Sequence, residues 1–269
     1  MSQSHPSAFA HHFLDMPFPD PAASALPAAM TGPMAKIDHT SGRSAKQDSI
    51  LRQNDGPVIE TIQAAPGMTV TGTNGNDTLF GWQESDLIFG LAGGDWIYSG
   101  GGDDTIFGGR ANDILFAADG NDQLHGDSRT DRLYGEEGND TLWGGDGDDV
   151  VNGGIGTDVL FGGAGADTFY FNRAVEMGLA PGTVDRIEDF EFGIDRIAFG
   201  AIDADTIHNG NNVFRLSTTT LHDGKPGSLR VEIVNGDTFV MGDLNGDSVS
   251  DFSIQILGIH ALSVDDFLL

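Results

Sequence analysis

Aspartates recur at every ninth position through the middle of this chain of 269 residues. Their carboxylates are hard oxygen donors, and Ca²⁺ takes roughly six to eight such ligands in irregular geometry. Mg²⁺ is smaller and holds its water more tightly, so it fits a row of this kind less well. The spacing therefore predicts a series of calcium sites at Asp77, Asp86, Asp95, Asp104, Asp113, Asp122, Asp131, Asp140, Asp149, Asp158 and Asp167.

The neighbours of these aspartates repeat with them, so that residues 72–170 read as eleven nonapeptides without an insertion. Position 6 is always Asp, position 8 is always apolar, and glycine is frequent at positions 1, 2 and 4, where it permits positive φ. Positions 7 to 9 would form a short strand whose middle residue faces inward. A flexible linker would have no use for apolar residues in phase, so the repeat predicts a solenoid. The position-8 residues are Leu79, Ile88, Ile97, Ile106, Leu115, Leu124, Leu133, Leu142, Val151, Leu160 and Phe169.

The charge of the chain also points to cations. It carries 41 Asp and Glu against 13 Lys and Arg, a formal net charge of −28. Such a chain repels the phosphates of nucleic acids and of anionic membranes, and it repels itself unless counter-ions enter the fold. It has no cysteine, which excludes disulfides and thiolate metal sites. No apolar run is long enough to span a membrane, and the N-terminus lacks the features of a Sec signal peptide.

The pattern GGxGxDxUx, in which U is apolar, resembles the calcium-binding nonapeptide of RTX proteins. The resemblance implies an all-β fold, a right-handed parallel β-roll in which two repeats make one turn. It also implies that each Ca²⁺ is shared by the aspartates of repeats n and n+2, which gives at most nine sites in eleven repeats. Glu84, Ala111 and Arg129 interrupt the glycines at position 4. We therefore expect the strongest sites along repeats 4, 6, 8 and 10, and between repeats 9 and 11.

The segment after the repeats is expected to be a β-rich cap. Residues 162–171, 185–190, 193–197 and 265–269 resemble the C-terminal domain of serralysin-type metalloproteases. That resemblance implies an uncleaved C-terminal signal read by a type I secretion machinery, and hence a secreted, extracellular protein. Within the cap, oxygen side chains at positions 1, 3, 5 and 9 of a short loop predict a further calcium site, against the alternative of a polar hairpin turn. These residues are Asp243, Asn245, Asp247 and Asp251.

The chain is thus predicted to have four parts. They are a disordered N-terminal segment (1–57), an N-terminal cap of the roll (58–71), the roll (72–170) and the serralysin-like C-terminal cap with its secretion signal (171–269). The first part is rich in Ala, Pro, Ser and His, and its prolines are incompatible with a helix or a sheet interior.

No catalytic motif accompanies the repeats. None of the eight histidines is followed by Glu, so the H-E-x-x-H zinc motif of the serralysins is missing, and so are a G-x-S-x-G elbow and a cysteine nucleophile. The sequence therefore predicts a secreted calcium-binding protein that is not an enzyme and has a structural or interaction role. The alternatives are a membrane-active or host-directed secreted RTX protein, or a carrier module for a separate enzyme. An ice-binding roll is disfavoured because the turn positions are too irregular.

Aromatic residues recur at position 9, which is expected to face outward. Adjacent rings on one side would lie one strand spacing apart and could stack, which would support the thin sheets. Alternatively, the ladders could mediate self-association or bind a glycan. One ladder comprises Phe80, Tyr98, Phe116, Tyr134 and Tyr170, interrupted by Asn152, and the other comprises Phe89, Phe107, Trp143 and Phe161, interrupted by His125.

Overall fold

A computed structural model describes residues 60–63, 67, 69–172, 177–178, 183–200, 202, 214–217, 224–258 and 261–268. The chain divides into two units, Met1–Asp48 and Ser49–Leu269, and every described residue belongs to the second. The prediction of a disordered segment at 1–57 therefore lies outside the described residues.

The repeat region is built from strands that begin at position 7 of one nonapeptide and mostly run to position 3 of the next. They are longer than the three residues expected from the sequence, because the glycines at positions 1 and 2 continue each strand before the chain turns. Two strands precede the repeats, β1 (Glu60–Gln63) and β2 (Thr69–Thr71). The repeats form β3 (Asp77–Phe80), which begins at position 6, and then β4 (Leu87–Ala92), β5 (Trp96–Gly101), β6 (Thr105–Arg110), β7 (Ile114–Asp119), β8 (Gln123–Ser128), β9 (Arg132–Glu137), β10 (Thr141–Asp146), β11 (Val150–Ile155), β12 (Val159–Ala164) and β13 (Thr168–Phe171).

Among the described residues after the repeats there are seven further strands and a short 3₁₀ turn at Val264–Asp266. They are β14 (Arg186–Ile187), β15 (Arg196–Phe199), β16 (Arg215–Leu216), β17 (Ser228–Val234), β18 (Asp237–Asp243), β19 (Phe252–Ile256) and β20 (Phe267–Leu268).

Alternate strands pair in parallel, so the chain winds as a coil between two sheets. Sheet A has the order β1-β3-β5-β7-β9-β11-β13-β15-β20, and sheet B has the order β16-β17-β18-β19-β14-β12-β10-β8-β6-β4-β2. Each residue within the repeats faces the residue 18 positions later, as Leu142 faces Leu160. The described residues form an all-β parallel solenoid of about six turns, which confirms the predicted fold class. None of them forms a helix that is long and apolar enough to cross a membrane.

The core of the coil consists of two ladders of inward-facing side chains, as the position-8 pattern predicts. The residues of both ladders are at most 5% exposed. Both ladders continue into the cap, because β14, β15, β19 and β20 keep the same register. The ladder of sheet A is Leu79, Ile97, Leu115, Leu133, Val151, Phe169, Ile197 and Phe267, and that of sheet B is Val70, Ile88, Ile106, Leu124, Leu142, Leu160, Ile187 and Ile256.

The turns need positive φ at two positions of the nonapeptide. Ala111 and Arg129 replace glycine at position 4, and both adopt the positive φ that this position requires, at +86°. Glu84, at the same position of repeat 2, does not have positive φ. Position 2 imposes the same requirement, as the glycines at that position predict, although the ranking of the repeats considered position 4 alone. A residue with a Cβ is disfavoured in this region, so position 4 alone does not rank the repeats. The non-glycine residues with positive φ at position 2 are Leu91, Ala118, Asp127 and Glu136.

An antiparallel unit completes sheet B. The apolar runs at 231–234 and 238–240 lie in β17 and β18, which pair through seven residues each. Asn235 and Gly236 join them with φ of +55° and +98°, the conformation that an Asn-Gly turn supplies in tight hairpins. Strand β19 then pairs with β18 on one side and with β14 on the other, which joins the hairpin to the coil.

Candidate metal centre

The eleven repeat aspartates lie at the ends of the turns, immediately before the strands or at their first residue, and they are at most 4% exposed. They form two ladders, one on each side of the coil, because each carboxylate reaches back one full turn. The Oδ1 atom of each aspartate from Asp95 onward accepts a hydrogen bond from the backbone amide of the aspartate 18 residues earlier, at 2.7–2.8 Å. The structure thus brings together the aspartates of repeats n and n+2.

The second carboxylate oxygen has no such partner over most of the roll. These Oδ2 atoms are buried and accept no hydrogen bond. A buried carboxylate oxygen without a partner is costly, and a bound cation would remove that cost. The atoms concerned belong to Asp95, Asp104, Asp113, Asp122, Asp131, Asp140, Asp149 and Asp167.

Burial without a counter-ion makes these groups hard to ionise. Loss of hydration raises the pKa of Asp131 to about 9, the amide of Asp113 lowers it, and neighbouring carboxylates raise it further. The other pKa values are raised from the same main cause. They rise to about 8 for Asp95 and Asp140, to about 7 for Asp113, Asp122 and Asp167, and to about 6 for Asp104 and Asp149.

In most repeats, glycine at position 1 keeps the space beside the open oxygen clear. A Cβ on Gly144 would lie 2.5 Å from the carbonyl oxygen of Gly162 and 2.6 Å from Asp149 Oδ2. The carbonyl oxygen of the next coil and the open carboxylate oxygen therefore face one small space. In repeats 4 and 6 this position holds Ser99 and Ala117, and the Ser99 hydroxyl donates a hydrogen bond to the carbonyl oxygen of Ala117 at 2.9 Å.

The donors around this space are all oxygen atoms, which suits a hard cation such as Ca²⁺. Among the described residues, no three acidic or histidine side chains converge as a metal-binding group. A site in the turns therefore needs backbone carbonyls in addition to the aspartates, and the inward carbonyls beside Asp149 and its counterparts fit that need. The residues present fit Ca²⁺ on these grounds.

The first aspartate of each ladder differs from the rest. Asp77 Oδ2 accepts a hydrogen bond from the amide of Thr73 at 2.6 Å, and Asp86 Oδ2 accepts one from the amide of Trp82 at 2.7 Å. In both cases an amide four residues earlier satisfies the oxygen that remains open further along the roll.

Sequence reasoning missed the aspartates that continue the ladders into the cap. Asp158 donates its amide to Asp185 Oδ1 at 2.9 Å, and Asp167 donates its amide to Asp195 Oδ1 at 3.0 Å. The segment inserted after repeat 11 breaks the nine-residue period, so the phase is lost. The sequence still contains a sign of these two coils. Asp-Arg-Ile occurs at both 185–187 and 195–197, and it has Asp followed two residues later by an apolar residue, as positions 6 and 8 of the nonapeptide do.

A third ladder, at position 5, was not predicted and is exposed. Asp103 Oδ1 accepts hydrogen bonds from the amide and side chain of Asn121, at 2.9 and 3.2 Å. Asn121 Oδ1 receives the same pair of bonds from Asn139, whose own Oδ1 accepts the amide of Thr157 at 3.0 Å. These bonds hold the turns of the even repeats in register.

The predicted calcium loop of the cap closes through hydrogen bonds. Asp243 is fully buried, and its carboxylate accepts the amides of Asn245, Gly246 and Ser248. Asp251 accepts the Leu244 amide at 2.6 Å and the Asn245 side chain at 3.2 Å. Three of the predicted ligands are therefore brought together, whereas Asp247 is exposed and bonds the amide of Val249. The calcium site itself stays a prediction.

The aromatic ladder of sheet B is continuous. Phe89, Phe107, His125, Trp143 and Phe161 stack with ring centroids 4.3–5.6 Å apart and interplanar angles of at most 11°. His125 is thus a member of the stack, and the prediction that it interrupts the ladder was wrong, because an imidazole presents a flat face to both neighbours. The stacking supports the interpretation that the aromatic residues stabilise the thin sheets, while self-association or glycan binding stays a prediction.

The ladder of sheet A is less regular. Phe116 stacks on Tyr134 with a centroid distance of 4.7 Å. Phe116, Asn152 and Tyr170 are buried, although position 9 was expected to be exposed. For Tyr170 the reason is local, because its ring lies directly against the backbone of Gly200.

Comparison with known proteins agrees with this geometry. Residues 69–97, 89–124, 125–160 and 152–173 match the family model of the RTX calcium-binding nonapeptide repeat (4 copies). No match among curated proteins was found. The matched residues end within the first residues of the cap, so the resemblance of the cap to the serralysin domain stays a prediction.

Three solved structures are similar to the chain. The AlgE6R3 subunit of the Azotobacter vinelandii mannuronan C5-epimerase is 28% identical, with 76% of this chain and 86% of that one covered and a TM-score of 0.31. The AlgE6R2 subunit of the same epimerase is 25% identical, with 70% and 90% covered and a TM-score of 0.33. The extracellular lipase LipA from Serratia marcescens is 17% identical, with 77% and 40% covered and a TM-score of 0.30.

Proposed function

Since residues 69–173 are RTX calcium-binding nonapeptide repeats, we propose that this chain is a secreted protein whose roll folds when Ca²⁺ binds after type I export. Its role is structural or one of interaction, and it does not catalyse a reaction. The observation that carries this proposal is the row of buried Oδ2 atoms that accept no hydrogen bond, such as that of Asp140.

Calcium acts on the folding equilibrium because its sites exist only in the coil. The position-6 aspartates from Asp77 to Asp167 supply the carboxylates, and the inward carbonyls of the glycines supply the remaining donors. In a calcium-poor cytosol, repulsion among the carboxylates and the cost of burying them keep the chain unfolded and able to pass through an exporter. Outside, a cation that binds only the folded state stabilises it by mass action.

The remaining parts of the proposal rest on the sequence. The tail Asp265-Asp266-Phe267-Leu268-Leu269 serves as the export signal, as its resemblance to the serralysin tail implies. Asp243, Asn245, Asp247 and Asp251 form a separate calcium loop, supported by the convergence of three of these side chains.

Circular dichroism of the full chain tests the proposal. The β-signal should appear in millimolar CaCl₂ and disappear in EGTA, and readdition of calcium should restore it. A β-signal that survives complete chelation at neutral pH would refute calcium-triggered folding. Expression with and without the last five residues in a host that has a type I exporter tests the export signal separately.

A further inference from the structure

One row of side chains crosses the antiparallel unit of the cap and has no part in the sites described above. Arg230 on β17, Met241 on β18 and Ser253 on β19 lie directly opposite one another in the register of these strands. Opposite residues on neighbouring strands share one face of the sheet. Met241 therefore has a polar side chain on each side of it, one from each neighbouring strand.

The sulfur of Met241 is already engaged on the side of β17. The Nη2 group of Arg230 donates a hydrogen bond to Met241 Sδ at 2.9 Å, and its Nη1 group forms an ion pair with Glu232 at 3.1 Å. A thioether is a weak acceptor, so this contact gains little by itself. The ion pair nevertheless keeps the guanidinium in place, and one of the two lone pairs of the sulfur is occupied.

On the side of β19, Ser253 offers a buried hydroxyl group. Ser253 is 3% exposed, and its Oγ forms no hydrogen bond with any described residue. Its amide donates to the carbonyl oxygen of Gly178 at 2.8 Å, so this amide points away from β18. Ser253 and Met241 thus form a non-hydrogen-bonded pair, in which opposite side chains come closest, with Cβ atoms about 4.5–5.5 Å apart.

An oxygen atom on the sulfur of Met241 would give this hydroxyl an acceptor. A buried hydroxyl without a partner is costly, and a sulfoxide oxygen is a far better acceptor than a thioether. Met241 is partly exposed, which gives a small oxidant access to its side chain.

The oxidation needs only hydrogen peroxide as a co-reactant. The free lone pair of the sulfur attacks one peroxide oxygen, so that a sulfur–oxygen bond forms while the oxygen–oxygen bond breaks. The transferred oxygen gives its proton to the departing oxygen, which leaves as water. The sulfur is oxidised by two electrons, the peroxide is reduced by the same two, and methionine sulfoxide remains.

We propose that Met241 is a site of oxidative modification, at which hydrogen peroxide produces a single epimer of methionine sulfoxide. Arg230 covers one lone pair of the sulfur, so the oxygen is added at the other, where the hydroxyl of Ser253 donates a hydrogen bond to it. A sulfoxide commonly disrupts packing. Here it links β18 to β19, so the modified cap stays folded.

Peptide mapping of the calcium-loaded, full-length protein tests the site. After limited exposure to hydrogen peroxide, mass spectrometry should find one added oxygen on Met241 earlier than on Met177, which is 2% exposed. Oxidation of Met177 before Met241 would overturn the proposal.

The configuration at the sulfur gives a readout that needs no variant. The oxidised protein would be digested, and the peptide that contains Met241 would be incubated separately with the two classes of methionine sulfoxide reductase, each of which reduces one epimer. We expect one class to reduce nearly all of the peptide and the other almost none. Equal reduction by both would show that both lone pairs are open to peroxide, and the proposal would be wrong.

Ser253→Ala tests where the added oxygen binds. The change removes the hydroxyl but leaves the sulfur and Arg230 in place. Peroxide treatment should lower the melting temperature of Ser253→Ala by about 2–4 °C more than that of the wild type, as the loss of one hydrogen bond predicts. Met241→Leu is the matched control, because its response to peroxide measures the effect of the other methionines. If the corrected shifts of the wild type and Ser253→Ala are equal, the hydroxyl does not bind the oxygen and the proposal fails.

Discussion

At the scale of the residue, the carboxylate of a position-6 aspartate further along the roll, such as Asp149, has two different tasks. Its Oδ1 holds the preceding turn through a backbone amide, while its Oδ2 is left open toward the space beside the position-1 glycine. One side chain can therefore order the coil and bind an ion at the same time. The nine-residue period reveals the aspartate, but it does not reveal this division.

The glycine beside the open oxygen gives the first prediction. Gly144→Ala places a methyl group against Gly162 O and Asp149 Oδ2, so it should destabilise the calcium-loaded roll by about 1–3 kcal/mol. The calcium concentration at the folding midpoint should rise accordingly, as measured by circular dichroism. Gly101→Ala is the control, because the nearest atoms to its added Cβ are 3.8 Å away. Equal shifts in the two variants would mean that the space beside Asp149 is not part of a site.

The raised pKa values give a second prediction, for the calcium-free protein. An ordinary Asp has a pKa of about 3.9 in the unfolded chain, whereas burial raises the pKa of Asp149 to about 6 and that of Asp131 to about 9. The folded state therefore binds protons more tightly, so its stability is complete below about pH 4 and is lost as the pH rises through about 6 to 9.

Acid should thus replace calcium in part. In EGTA, the circular dichroism signal of β-sheet should be larger at pH 4.5 than at pH 8. A pH titration followed by circular dichroism measures this difference. A calcium-free protein that is more structured at pH 8 than at pH 4.5 would contradict the burial of neutral carboxylates.

At the scale of the element, the strands of sheet B are held together on both faces. Inside, residues such as Leu142 form the apolar ladder, and outside, the five rings from Phe89 to Phe161 form one continuous stack. A roll with so narrow a core gains from such outer contacts, since stacked aromatic pairs stabilise beyond the area that they bury.

Trp143 is the member of the stack best suited to a test. Trp143→Thr keeps a residue favourable to strands but removes the contacts with His125 and Phe161, so the free energy of unfolding should fall by about 2 kcal/mol. Thermal melts in excess calcium would measure it. Trp82→Thr is the control, because Trp82 is 44% exposed and lies in the connection between β3 and β4, and it should change the melting temperature little. If Trp143→Thr keeps its stability but loses self-association or glycan binding, the stack is an interface.

At the scale of the whole molecule, the net charge of −28 opposes compaction. Salt weakens this repulsion between exposed charges, but it does not supply ligands to the buried Oδ2 atoms. Calcium weakens the repulsion and also provides a partner for the buried Oδ2 atoms, because it neutralises charge at the place where the carboxylates are buried. Folding should therefore depend on the identity of the cation and not on ionic strength alone.

Small-angle scattering and circular dichroism of the EGTA-treated protein would separate the two effects. Adding 0.5 M NaCl should contract the chain without producing the β-signal, and millimolar MgCl₂ should be much less effective than millimolar CaCl₂ because Mg²⁺ retains its water. Folding by NaCl alone would show that screening suffices and that specific sites are unnecessary.

The sequence by itself determined the coil and its inward residues. A strict period with Asp at position 6 and an apolar residue at position 8 leaves one way to bury Leu79 and its counterparts, so the parallel solenoid and its two ladders could be predicted. The apolar runs at 231–234 and 238–240 also mark the strands β17 and β18, whereas their pairing as a hairpin was not predicted.

The tertiary structure alone decided where the ladders end and which oxygen stays open. Asp185 and Asp195 lie outside the period, and only the pairing of β14 and β15 with the roll places them in the register of Asp158 and Asp167. Likewise, only the stacked strands bring the flat imidazole of His125 against the rings of Phe107 and Trp143. The reason is that a sequence repeat reveals only contacts between residues a fixed number of positions apart. The segment inserted after repeat 11 changes that number, but the two aspartates still meet in the folded chain.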